Sequence, residues 1–99
     1  MKPIQININP EREGCYYELE PLSRRRVKAA YPDVKVAPMV FIGYQTRNDF
    51  EAVHGPMWQQ VAMVLTGLSM GQLADLGGVD LFDVTTQEII AHVPLREAA

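Results

Sequence analysis

The chain of 99 residues carries a formal net charge of −3, with 47% hydrophobic and 21% charged residues. These values indicate one globular domain, residues 1–99, with a single modest core. The longest uncharged stretch, residues 55–74, contains three glycines and several polar residues, which excludes a membrane span. A single cysteine excludes an internal disulfide, and the N-terminus lacks a signal-peptide pattern, so we expect a cytoplasmic protein.

Positive charge is concentrated in the first half of the chain. Residues 1–50 carry eight lysines and arginines against six acidic residues, whereas residues 51–99 carry one arginine against six acidic residues. Any phosphate-binding surface must therefore come from the first half, because the second half repels phosphate. This distribution favours a protein partner over a nucleic acid.

The first elements in chain order are a strand and a helix. Residues 3–9 have isoleucine at every second position, which predicts a half-buried strand. Residues 15–31 follow a helical spacing of apolar side chains. Because Pro21 suits the first turn of a helix and Pro32 disfavours helical geometry before it, the helix is predicted most firmly over residues 21–31.

The middle of the chain predicts a second strand and a second helix. Residues 34–44 are rich in valine, isoleucine and aromatic residues, and Pro38 favours a bulge or an edge position. Gly55-Pro56 is typical of a helix start. The buried side of this helix is predicted from residues at helical spacing: Met57, Val61, Val64, Leu65 and Leu68.

The last third begins with a short helix. Ser69 and Gln72 have the spacing of a capping box, and Gly77–Gly78 ends the helix. Residues 79–93 form either a hairpin that turns near residues 86–87 or a helix followed by a strand, and their β-branched content favours the hairpin. The predicted order is β-α-β-α, a short α, then β-β. The fold class is α+β, with the helices packed on one face of a short mixed or antiparallel sheet.

Groups capable of catalysis are sparse. His54 and His92 match no metal-ligand spacing. Cys15 stands beside two tyrosines, which is typical of a small buried hydrophobe more than of a nucleophile activated by His54. No glycine-rich loop of the phosphate-binding type is present. We therefore expect a protein that is not an enzyme and uses no cofactor or metal.

Two local patterns indicate binding. The first comprises the segments MKPIQINI, GCYYEL and RRVKAAYPDVKVAPM within residues 1–39. They resemble the N-terminal half of the DinI-like family, small bacterial and phage proteins that modulate the RecA filament. The resemblance implies an open sheet with two helices on one face, and an acidic C-terminal helix that engages RecA. The chain departs from this pattern because its helix at 57–68 has no acidic residue and Pro21 interrupts a helix that the family runs unbroken.

The second pattern, SMGQLADLGGVDLFDV, resembles the turn of a helix-turn-helix DNA-binding protein. Ala74 supplies the small residue where two helices cross, and Gly78 supplies the turn. The would-be recognition helix carries Asp80, Asp83 and Glu88 without lysine or arginine, a surface that phosphates repel. A DNA-binding regulator that uses residues 69–88 is therefore the alternative to a protein-binding regulator or inhibitor.

Three groups of residues are candidates for partner contact. Arg24, Arg25 and Arg26 occupy successive helix positions and cannot share one face, so they form either a solvated surface or a basic patch for an acidic partner. Trp58 stands next to the core residues of its helix, and we expect its indole at a surface. An acidic segment near the C-terminus either joins charge to an apolar anchor, as a protein contact requires, or packs its apolar residues in the core of a terminal hairpin while its acids serve solubility: Asp75, Asp80, Phe82, Asp83 and Glu88.

The expected partner is thus a protein, which is the RecA filament if the resemblance holds. A nucleic acid is less favoured, and a membrane partner is not expected. A homo-oligomer is compatible with the sequence.

Overall fold

The structure, a computed structural model, describes residues 2–43 and 58–93. In this part of the chain five strands form one mixed sheet in the order β3-β2-β1-β4-β5. Strands β1 and β4 are parallel, and the other three neighbouring pairs are antiparallel. The strands are β1 (Ile4–Pro10), β2 (Gly14–Leu19), β3 (Val40–Gly43), β4 (Val79–Asp83) and β5 (Glu88–Val93). The predicted α+β class is confirmed.

One face of the sheet forms the core. Ile4, Ile6 and Ile8 are at most 1% exposed, as the alternation of β1 predicts. The register places Leu19 opposite Ile6 and Tyr17 opposite Ile8, so that β2 continues the same apolar surface. On the other side of β1, the residues paired with Ile4 and Ile6 in β4 are Val79 and Leu81, which are also buried.

The helices pack on this apolar face. They are α1 (Pro21–Ala30), α2 (residues 58–66 in its described part) and α3 (Met70–Asp75). Val27 of α1, Leu65 of α2 and Leu73 of α3 belong to the same buried cluster as the isoleucines of β1. All three described helices therefore lie on one side of the sheet, as predicted.

Hydrogen bonds tie α1 to β1 at its first turn. The carboxylate of Glu20 accepts from the backbone N–H and the hydroxyl of Ser23, both at 2.9 Å. The hydroxyl oxygen of Ser23 in turn accepts from the backbone N–H of Gln5 at 2.8 Å. Ser23 is only 4% exposed, and this chain of bonds satisfies its buried polar atoms.

Two elements differ from the sequence prediction. Residues 14–19 form β2, so the helical interpretation of residues 15–20 is wrong; the observed order is β-β-α-β-α-α-β-β. Of the strand predicted over residues 34–44, Val40–Gly43 is confirmed, residues 34–39 do not form a strand, and residue 44 lies outside the described residues. The segment before β3 is held to α2 by the Ala37 N–H, which donates to the Leu65 carbonyl at 2.9 Å.

The C-terminal elements follow the local signals. Ser69 and Gln72 form the predicted capping box, with bonds of 2.9 and 3.2 Å. Gly77 and Gly78 have φ values of 99° and 87°, a left-handed backbone that glycine adopts without steric cost. Residues 79–93 form the hairpin β4–β5. The helix-turn-helix interpretation is wrong in its geometry, because it requires a second helix where β4 lies.

Candidate functional site

The sheet face opposite the helices is not covered by any described helix, and we call it the open face. Register pairs define its members, because residues next to a buried strand position point to the other side. From the β3 edge to the β5 edge these side chains are Phe41, Tyr16, Glu18, Asn9, Asn7, Gln5, Phe82, Asp80, Ile89 and His92. The open face thus combines exposed apolar groups with amides and carboxylates.

An aromatic pair lies at the β3 edge of the open face. The ring centroids of Tyr16 and Phe41 are 4.7 Å apart with an interplanar angle of 48°. Their side chains remain 37% and 50% exposed. The ring of Phe41 also lies over Gly14, where a Cβ atom would come within 2.2 Å of the ring. Because glycine at position 14 has no side chain, the Phe41 ring can pack over it and lie beside Tyr16.

Two shallow clefts flank Tyr16. The larger, about 510 Å³, is lined by residues 11–14 together with Tyr16 and Phe41, and it includes the Arg12 side chain. The smaller, about 250 Å³, lies on the side toward Glu18, and none of its described lining residues is a lysine or an arginine. Its lining residues are Asn9, Glu11, Tyr16, Glu18 and Met39.

The β5 side of the open face carries an acid–histidine pair and a second apolar group. Nδ1 of His92 lies 2.6 Å from Oδ1 of Asp80. Because a carboxylate oxygen only accepts, Nδ1 carries the proton and donates. Phe82 pairs with Ile89 across a register shift in the hairpin, and Ile89 is 59% exposed. Asp80 and Phe82, both predicted contact residues, therefore share the open face.

The other acidic residues predicted for partner contact do not lie on the open face. The carboxylate of Asp83 accepts from the backbone N–H groups of Thr85 and Thr86 at 2.8 and 3.3 Å, so it stabilises the hairpin turn. Glu88 lies opposite Asp83 at that end of the hairpin, on the side away from Phe82. Asp75 is an exposed residue at the end of α3. The expected single acidic surface is therefore divided among three places.

The three arginines also separate, as their helix positions predict. The guanidinium of Arg26 donates to the carbonyl oxygens of Lys2, Pro3 and Leu76, the last at 3.0 Å. Arg25 is exposed and Arg24 partly so, and neither forms an ion pair within the described residues. Arg26 is therefore a structural residue, and only its two predecessors remain available for contact.

Trp58 corrects another expectation. Its side chain is 7% exposed and belongs to the core cluster, so the prediction of an indole at the surface is wrong. On α2 the exposed apolar residue is instead Val64, at 60%, although helical spacing placed it among the buried residues.

Reactive groups in the described residues do not converge. Cys15 is 1% exposed, as expected of a small buried hydrophobe. Burial raises the pKa of the Cys15 thiol above its ordinary value, although a hydrogen bond with Tyr17 opposes the shift. His54 lies outside the described residues. No group of three or more His, Cys, Asp or Glu side chains in the described ranges is placed to hold a metal ion.

The sequence interpretation missed Tyr16, Glu18 and Phe41 as members of a site. A signal was present, because Cys15, Tyr17 and Leu19 alternate with Tyr16 and Glu18 in the manner of a half-buried strand.

Comparisons of the chain with protein-family models, curated proteins and solved structures gave no match. Within the described residues, no helix combines the length and the apolar character needed to cross a membrane.

Proposed function

We propose that this protein is a non-enzymatic binding module that docks a protein partner on the open face. The supporting observation is the asymmetry of the sheet: described helices cover one face, whereas Phe41 and Ile89 remain 50% and 59% exposed on the other. Exposed apolar groups set among polar ones are typical of interaction surfaces. The buried thiol of Cys15 agrees with a role in binding more than in nucleophilic catalysis.

The charges of the sheet favour a partner with a basic surface. The described strands carry the acids Glu18, Asp80, Asp83 and Glu88 and no lysine or arginine. Two of these acids, Glu18 and Asp80, lie on the open face beside its aromatic groups. Carboxylates speed and orient the encounter with a basic partner, and the apolar side chains hold the complex once water is excluded.

Site-specific photo-cross-linking tests this proposal. A photoreactive amino acid at position 41 or 89 samples the open face. The same group at position 22 or 64 samples the helical side at comparable exposure, since Leu22 is 61% and Val64 60% exposed. We expect one discrete protein adduct in a bacterial lysate from the two open-face positions only. Equal adducts at all four positions, or adducts at 22 and 64 alone, would contradict the proposal.

The resemblance to the DinI-like family supplies a named candidate partner, the RecA filament. RecA assembled on single-stranded DNA is incubated with the same four cross-linking variants and sedimented. We expect co-sedimentation of the protein and an adduct with RecA from positions 41 and 89. If the protein stays in the supernatant when the filament sediments, RecA is not the partner. The lysate experiment still tests the open face in that case.

A further inference from the structure

The smaller cleft beside Tyr16 has the chemistry of a site for a cation. Its wall is formed by two carboxylates, Glu11 and Glu18, an amide, a phenol ring and a thioether. We propose that this cleft binds the guanidinium or ammonium group of an arginine or lysine side chain that the protein partner inserts. The inference rests on the proposed function, and it names the chemistry by which the open face recognises its partner.

The polar groups of the cleft match such a head group. Carboxylate oxygens only accept hydrogen bonds, and a guanidinium or ammonium group only donates them. Glu18 forms no ion pair within the described chain, so its charge remains available to a ligand. The side-chain oxygen of Asn9 offers a further acceptor on the neighbouring strand, since Asn9 is paired with Tyr16 in the register.

The apolar part of the cleft suits the same ligand. The electron-rich face of a tyrosine ring attracts a cation, and arginine also stacks on aromatic rings. Met39 is 47% exposed and offers a soft, adaptable surface to the methylene groups of the incoming side chain. Contact with Phe41 at 4.7 Å between centroids restrains the Tyr16 ring, so that less freedom is lost when the ligand enters.

The comparison of the two clefts supports the assignment. The larger cleft contains Glu11 and Glu13 together with Arg12, whose positive charge offsets one of these carboxylates. The described lining of the smaller cleft shares Glu11 with the larger one, adds Glu18 and contains no lysine or arginine. The nearest strands also lack positive side chains, since β1, β2 and β3 contain neither lysine nor arginine. A cation is therefore attracted more strongly to the Glu18 side of Tyr16 than to the side that contains Arg12.

The experiment uses the full chain and two capped peptides that differ only in charge. One has the sequence Gly-Leu-Arg-Leu-Arg-Gly, and in the other both arginines are citrulline, which keeps the shape but has no positive charge. Binding is followed by two-dimensional NMR of the backbone amides. We expect the arginine peptide to shift amides of residues 9, 16 and 18, and the citrulline peptide to shift them much less.

Matched variants distinguish specific binding in the cleft from a general electrostatic attraction between the peptide and an acidic protein. Glu18→Gln and Glu88→Gln remove the same charge, but only Glu18 lines the cleft. We expect Glu18→Gln to weaken peptide binding at least about three-fold and Glu88→Gln to have little effect. Tyr16→Leu should weaken binding about two- to five-fold, whereas Tyr16→Phe, which keeps an aromatic ring, should preserve it.

Four results would overturn the inference. The first is an equal loss for Glu18→Gln and Glu88→Gln, and the second is a shift pattern located away from Tyr16. The third is equal binding of the citrulline peptide. Concentration-dependent shifts of the same amides without peptide would assign the cleft to a second copy of the chain instead. If cross-links form at positions 41 and 89 but the arginine peptide does not bind in the cleft, only this inference fails and the proposed function stands.

Discussion

Arg26 shows how one residue of a charged run acquires a structural role. Its guanidinium bonds carbonyl oxygens just before β1, at Lys2 and Pro3, and just before β4, at Leu76. These two strands are the parallel pair at the centre of the sheet, and the side chain links the segments that lead into them. The planar fork of arginine allows one side chain to reach both segments, which a lysine cannot do with the same geometry.

Substitution of Arg26 should therefore cost stability where substitution of Arg25 does not. We expect Arg26→Ala to lower the free energy of unfolding by about 1–3 kcal/mol, because it removes charge-assisted bonds and leaves carbonyls with poorer partners. Arg25→Ala, an exposed change on the same helix, should alter it by less than about 0.5 kcal/mol. Urea unfolding followed by the fluorescence of buried Trp58 measures both. Equal effects of the two variants would show that the Arg26 bonds contribute nothing.

The elements that depend on local signals were predictable. The alternation of β1, Pro21 at the start of α1 and the Ser69–Gln72 capping box each act within a few residues, and each is confirmed. The sheet order was not predictable, since it depends on pairings between distant segments such as β1 and β4. The strand β2 was missed because its leucine and glutamate also suit a helix, although its alternation was visible.

The candidate site was predicted only in part, because its composition depends on strand geometry and on pairings between distant segments. Asp80 and Asp83 are close in sequence, but residues three apart in a strand point to opposite faces. Only Asp80 therefore reaches the open face, while Asp83 bonds the hairpin turn. The aromatic pair could not be found by sequence proximity, because Tyr16 and Phe41 meet only through the β2–β3 register.

The turn of the β4–β5 hairpin offers a test at the scale of the element. Gln87 has a φ of 61°, a left-handed backbone that costs a residue with a side chain about 1 kcal/mol. We expect Gln87→Gly to raise the free energy of unfolding by about 0.5 kcal/mol. Glycine removes the cost of the left-handed backbone, and this gain exceeds the loss that comes from the greater conformational entropy of the unfolded chain. Gln87→Val should lower it, because β-branching disfavours this conformation. Thermal and urea unfolding measure both effects. A valine variant more stable than the original protein would contradict the claim that the backbone at position 87 is strained.

The described part of the molecule separates charge between helix α1 and the open face of the sheet. Helix α1 carries Arg24, Arg25, Arg26 and Lys28 and no acid within Pro21–Ala30, whereas the described strands carry acids and no lysine or arginine. Helix α1 and the open face, which carries Glu18 and Asp80, therefore present charges of opposite sign to solvent. A basic partner is attracted to the open face, whereas a polyanion such as DNA is attracted to the outer face of α1.

This separation predicts weak DNA binding with a shallow salt dependence. Arg26 is bonded to main-chain carbonyls, so α1 offers three cations, Arg24, Arg25 and Lys28, to phosphates. Neutralising about three phosphates gives a slope of log K against log salt no steeper than about −3 for duplex DNA. We expect fluorescence polarisation to give a dissociation constant no tighter than about 10⁻⁴ M at physiological salt.

Two charge reversals show which surface any residual DNA binding uses. Arg25→Glu should abolish it, because this change places an acid at the centre of the exposed side of α1. Arg12→Glu is the matched control, with the same change of charge at an exposed residue between β1 and β2, and it should have a smaller effect. Submicromolar affinity with a slope near −6 would require more phosphate contacts than α1 supplies. That result would replace the protein-binding proposal with a nucleic-acid function.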